Sequence, residues 1–156
     1  MSQEERFGTR DRTYSAWHRR ASLGRFIGAD RAQLVSMCDI DAALWLEHDD
    51  LTKEPLALIE TARDLGQPFK SGTVLLHLAR RARLPAYVCM FRIGDRKNPA
   101  DAACQDVVAF RVRRIYPRPE AGWRELTPAA WASGLLRIRE WSAKRIDHEA
   151  ANDPKY

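Results

Sequence analysis

No apolar run in these 156 residues approaches the ~18 that a membrane-spanning helix requires, so no membrane role is expected. The opening stretch, MSQEERFGTRDR, is charged and lacks the apolar segment of a secretory signal. Cysteine is scarce. Cys38, Cys89 and Cys104 are odd in number, far apart and without the paired spacing of a metal site. That pattern fits reduced thiols in a cytoplasmic protein, with Cys38 and Cys89 as small core residues. The four histidines are dispersed. HExxH, GxSxG, the P-loop and GxGxxG are all missing, which leaves zinc-protease, serine-hydrolase and nucleotide-fold chemistries without support. Repeats, low-complexity tracts and interdomain linkers are absent too. One domain able to bury a proper core is the simplest organisation, with residues 1–11 and 147–156 as flexible ends around a body at 12–146.

What is present is positive charge. The formal net charge is +5, which favours a polyanionic partner over an acidic one. Arginines recur as Arg19-Arg20, Arg80-Arg81-x-Arg83 and Arg111-x-Arg113-Arg114. A planar guanidinium suits phosphate contact, although genome base composition can generate the same bias.

The pattern of apolar residues outlines an α/β chain, in the sense of a mixed α+β sheet. Tyr14, Trp17, His18 and Ala21 fall on one helical face between Arg12 and Leu23. Residues 32–37 (AQLVSM) suggest a short strand. From Asp39 to Glu47 the period is two: Ile40, Ala42, Leu44 and Leu46 share one face, and Asp39, Asp41, Ala43, Trp45 and Glu47 the other. A polar turn then leads to Leu56–Thr61, apolar on both faces and so central in a sheet. Glu60 closes that run. A carboxylate there must be paired, protonated or bound to a cation, because an isolated charge is costly; a salt bridge to an arginine is the plain structural reading.

Residues 66–83 read as a helix with an apolar stripe at Leu75, Leu78, Ala79 and Ala82, ended by Pro85. Gln67, Lys70, Val74, His77 and Arg81 form a polar line beside that stripe. Residues 86–93 follow as the parallel partner in a βαβ-like crossover. In 107–116, Val108, Phe110 and Val112 face one way and Arg111 and Arg113 the other. Thr127-Pro128 caps a last helix reaching to about Lys144, with Trp131, Leu135 and Ile138 as its core stripe and Trp141 as a further packing residue.

The order helix, three strands, helix, strand, with DID at 39–41, LALIE at 56–60 and a basic helix from Gln67, resembles the PD-(D/E)xK, restriction-endonuclease-like superfamily. The likeness covers roughly Arg12 to Ile93, as an αβββαβ-like core with an added strand and a C-terminal helix. It implies a metal-dependent nuclease acting on DNA. Asp41 and Glu60 would hold Mg²⁺ or Mn²⁺ together with a backbone carbonyl near Thr61, and Asp39 would be an accessory ligand. Arg19, Arg20, Arg63, Arg81, Arg111 and Arg113 would contact phosphates. Many nucleases of this fold work as dimers, so a homodimer is compatible with the resemblance. One position departs from the pattern: the family lysine two residues after the glutamate is Ala62 here. Lys70 or Gln67 would then supply the missing catalytic group from the helix, with Arg63 as a third substitute that a regular strand would point away. A protein of the same fold that binds nucleic acid or a partner protein without cutting is the alternative.

Overall fold

The computed structural model describes residues 24–35 and 40–152. The chain divides into two compact units, Met1–Asp39 and Ile40–Tyr156. The described part of the first holds two short helices, α1 (Gly24–Ile27) and α2 (Ala29–Ala32). The expected strand at 32–37 is not formed over its described part. Ala32 and Gln33 instead donate to the carbonyls of Gly28 and Ala29, so local helical bonds satisfy this backbone. The expected helix at 12–23 and the last two residues of that strand lie outside the described residues.

The second unit is a mixed α+β domain around a five-stranded sheet in the order β1-β2-β3-β4-β5. Its strands are β1 (Ala42–Glu47), β2 (Lys53–Arg63), β3 (Ala86–Lys97), β4 (Gln105–Tyr116) and β5 (Arg124–Leu126), with helix α3 (Thr73–Ala82) between β2 and β3 and α4 (Pro128–Asn152) after β5. β1 and β2 form the anticipated antiparallel hairpin. β2 and β3 are parallel across α3, as the crossover reading requires, and β3–β4 and β4–β5 are antiparallel. The three-residue β5 has too little pattern to be read from sequence.

Each face of the sheet has its own core. Leu58 and Ala86 pack with Leu75 and Ala79 of α3 on one side. Ile59, Tyr87, Cys89 and Val112 pack with Trp131 of α4 on the other, joined by Leu135 and Ile138. The β1 register shifts between Leu44 and Trp45, opposite Pro55, which has no N–H to give a ladder. Close to this irregularity the buried Ser142 of α4 donates to the Leu56 carbonyl at 2.8 Å, fixing helix to sheet. Thr127 Oγ1 accepts from the Ala130 N–H at 3.1 Å, the cap anticipated from Thr127-Pro128.

The strands β2, β3 and β4 run longer than the sequence reading, β1 begins at Ala42 instead of Asp39, and the helix boundaries shift as well. α3 begins at Thr73, not 66, because Gly66 at φ 84° and Pro68 keep the preceding residues in a loop. It ends in a left-handed cap at Arg83, φ 56°. α4 continues to Asn152, beyond Lys144. Trp141, expected in the core, is 48% exposed, with the Arg145 guanidinium 5.0 Å from its ring centre. No helix among the described residues is long and apolar enough to cross a membrane.

Burial separates the two described thiols. Desolvation pushes Cys89 up to about 12, whereas Cys104 is exposed and hydrogen-bonds to Asp101. A thiol reagent at neutral pH should modify Cys104 in the native protein and Cys89 only after denaturation. Peptide mapping by mass spectrometry checks this, and native labelling of Cys89 would contradict the packing.

Candidate functional site

The end of β2 gathers the charged residues. Pairing of Ala42 with Ile59 sets Asp41 at the Glu60–Thr61 end of β2. Its Oδ2 accepts from the Thr61 N–H at 2.8 Å and from Thr61 Oγ1 at 3.2 Å, so a side chain extends the β1–β2 ladder where β1 stops. Glu60 follows Leu58 by one full pleat and therefore lies on the α3 face of the sheet. Its Oε1 is 3.0 Å from Lys70 Nζ, with the glutamate side chain only 17% exposed. The strand-end carboxylate is paired, and its partner is a lysine, not an arginine.

Lys70 reaches Glu60 from the loop before α3, not from the helix itself, and the loop is held by side chains. Arg111 donates to both oxygens of Asp64, at 2.9 and 2.7 Å, and to the Gln67 carbonyl at 2.9 Å. The Gly66 N–H donates to Asp64 Oδ1. Gln67 braces the bend from within: its Oε1 accepts from the Leu65 N–H and its Nε2 donates to the Arg63 carbonyl. Trp123 Nε1 donates to the Pro68 carbonyl at 3.1 Å, while the Arg111 guanidinium lies 5.5 Å from the Trp123 ring centre. These contacts fix the loop in three dimensions.

The sheet register extends the site sideways. Glu60 pairs with Val88 and Val88 with Arg113, a row on the α3 face with about 4.8 Å between strands. One pleat further on, Ala62, Met90 and Arg111 form the next row. A cavity of about 310 Å³ adjoins the first row, walled by Phe69, Lys70, Arg113 and Trp123. Gly72 forms part of its lining, and a Cβ there would come 3.1 Å from Val88. Phe69 is 66% exposed.

Asp41, Glu60 and Lys70 are thus brought to one strand end, with Arg113 along the same row. Gln67 is corrected from a helix residue to a loop brace, its amide committed to backbone groups. Arg111 is corrected from a free phosphate contact: its side chain is 19% exposed and bound to Asp64, because a planar fork matches both carboxylate oxygens. Arg63 and Arg81 are exposed, at the end of β2 and on α3. Asp39, Arg19 and Arg20 lie outside the described residues. Sequence reasoning missed the roles of Asp64 and Trp123; both depend on long-range contacts that leave no local periodicity.

The donors near Glu60 are hard oxygens, as Mg²⁺ or Mn²⁺ prefers. No group of three or more His, Cys, Asp or Glu able to hold a metal is assembled among the described residues. Asp41 Oδ1 and Glu60 Oε2 are left without a hydrogen-bond or ion-pair partner among those residues. With only these two carboxylates, an ion such as Mg²⁺ would have to complete its shell with water and substrate phosphate oxygens. They do not form an all-protein cage.

The Arg111 guanidinium holds the Asp64 carboxyl below its ordinary value of 3.8, helped by the Gly66 N–H. A depressed folded-state pKa contributes stability above the unfolded value, and that contribution is lost as pH falls through the folded value. Asp64→Asn should therefore unfold at lower temperature than the parent at pH 7. The gap should narrow as pH drops below 3.8. Thermal denaturation across pH 2–7 checks this, and a pH-independent gap would contradict the pairing.

No family model, curated protein or solved structure matches the chain.

Proposed function

We propose that this protein is a metal-dependent nuclease of the PD-(D/E)xK, restriction-endonuclease-like type, hydrolysing phosphodiester bonds in DNA. The observation that carries the reading is the 3.0 Å contact between Glu60 and Lys70. It joins a strand-end carboxylate to a cation that Ala62 cannot supply, beside Asp41 at the neighbouring strand end. Further support comes from the β2–α3–β3 crossover, which matches the part of the resemblance that carries the chemistry.

Asp41 and Glu60 hold the metal, with a backbone carbonyl near Thr61 as a further oxygen donor. Mg²⁺ or Mn²⁺ supplies, when bound, a more acidic water and positive charge against the scissile phosphate. Lys70 places an ammonium where negative charge builds, from a loop braced by Arg111, Gln67 and Trp123. Arg113 contacts an adjoining phosphate along the row, and Phe69 offers an exposed ring to a nearby base.

The second reading is a non-cutting protein of the same fold that binds nucleic acid or a partner protein. Ala62 favours it, as does the absence of a three-ligand cluster among the described residues.

Cleavage assays with Mg²⁺ and with Mn²⁺ on single- and double-stranded DNA separate the two. The parent should cut, and Glu60→Gln should lose on the order of a hundredfold or more in rate while still binding DNA. Salt-sensitive DNA binding by the parent without cleavage in either metal would favour the second reading. No binding and no cleavage would overturn the nuclease assignment.

A further inference from the structure

The opposite face of the sheet carries a second concave site. A cavity of about 370 Å³ lies between α4, the start of β3 and the segment joining β4 to β5. Its size is at the lower end of small-molecule pockets, about 300–1,000 Å³, so it suits one nucleotide-sized ligand and not a length of duplex. Tyr87 and Trp131, which line it, belong to the α4-side core, whereas Glu60 and Lys70 lie on the α3 side. The two sites are therefore on different faces of the sheet.

Charge is the unusual feature of this cavity. Four guanidiniums line it, from Arg114, Arg118, Arg124 and Arg137. Glu120 is the one carboxylate in its lining among the described residues, so the charged lining sums to +3 (four minus one). Glu120 is already engaged: Oε1 meets Arg124 Nε at 3.1 Å and Oε2 accepts from the Arg114 N–H at 2.7 Å. That pairing neutralises one guanidinium and stiffens the wall. Arg114 Nε also donates to the Arg118 carbonyl at 3.1 Å, which fixes the turn at the mouth.

The other three arginines line the same cavity without a second carboxylate among the described residues. Like charges gathered in a concavity repel one another, and an anion relieves that repulsion. A phosphate monoester, carrying about −1.5 to −2 at neutral pH, matches the excess in sign and size. Guanidinium forks fit its oxygens. The rest of the lining is apolar, with aromatic rings at Tyr87, Trp131 and Trp141: Trp131 is buried, but Trp141 is half exposed with Arg145 against its ring. An exposed indole at the rim of an arginine pocket suits a planar base, because base–aromatic stacking is sequence-tolerant and stabilising.

We infer that this cavity binds a nucleotide bearing a terminal phosphate monoester, held by Arg114, Arg118 and Arg137 with its base against Trp141. The same chemistry can come from a free mononucleotide or from the phosphorylated end of a strand. This inference does not rest on the nuclease reading.

Calorimetry on the full chain, in buffer containing EDTA, tests it with adenosine 5′-monophosphate, adenosine, and a tetranucleotide with and without a 5′-phosphate. Adenosine 5′-monophosphate should bind at least tenfold more tightly than adenosine, and Arg137→Ala should weaken it at least tenfold. Arg137 is exposed on α4, so the variant should fold, which circular dichroism verifies. A phosphorylated tetranucleotide binding more tightly than the mononucleotide would identify strand ends as the source; equal or weaker binding would identify the free nucleotide. Equal affinity for adenosine and its monophosphate, indifference to Arg137→Ala, or no binding of any phosphorylated probe would overturn the inference. Loss of mononucleotide binding in Glu60→Gln would also overturn it, by placing the ligand on the other face.

Discussion

The ion pair between Arg111 and Asp64 is the constraint on which the arrangement at the end of β2 depends. Its residues are 47 positions apart in sequence, on β4 and in the loop after β2. Arg111 crosses the sheet surface over Met90 and meets both oxygens of Asp64. With the Gln67 carbonyl as a third acceptor, it sets the path of the chain from Asp64 to Lys70. Without that clamp the loop would have Gln67 and the Trp123 bond to hold it, and the Lys70 ammonium would gain freedom to leave Glu60. A cationic side chain that sequence alone suggests as a phosphate contact serves here to organise another cation.

The two faces of the sheet divide the charge of the molecule differently. On the α3 side each charged group near the strand end has an opposite or polar partner: Asp41 with Thr61, Glu60 with Lys70, Arg111 with Asp64, and Arg113 Nε with the Glu120 carbonyl. Such pairing fixes geometry, which suits chemistry that needs positioned groups. On the α4 side guanidiniums outnumber carboxylates in one cavity, which suits capture of an anion. Glu120 links the two faces, with its carbonyl bound to Arg113 and its carboxylate to Arg124 and the Arg114 backbone.

Much of the fold was legible because burial imposes period two on strands and three to four on helices. The alternation from Ala42 to Glu47, the apolar run of Leu56–Ile59 and the stripe from Trp131 to Ile138 each lie where their patterns point, whereas Ile40 is exposed ahead of β1. The Glu60–Lys70 association is legible in part: both residues stand out, but the pattern points to a helix where Gly66 and Pro68 impose a loop. Asp64 and Trp123 gave no signal because their roles arise across strands. Trp141 departs from its pattern for the opposite reason. Its aromatic character suggests packing, yet its place on the long helix turns it half toward solvent. The described part of the AQLVSM segment, residues 32–35, shows how little a short apolar run specifies when helical bonds to the Gly28 and Ala29 carbonyls are available.

Under the proposed function, Lys70 on the clamped loop takes the place of the lysine that Ala62 lacks. Single-turnover cleavage rates of Lys70→Ala and of Lys70→Ala combined with Ala62→Lys test it most directly. A large loss in the single variant and substantial recovery in the double are expected, since strand alternation returns residue 62 to the face of Glu60. A single variant that cuts at the parental rate would contradict it.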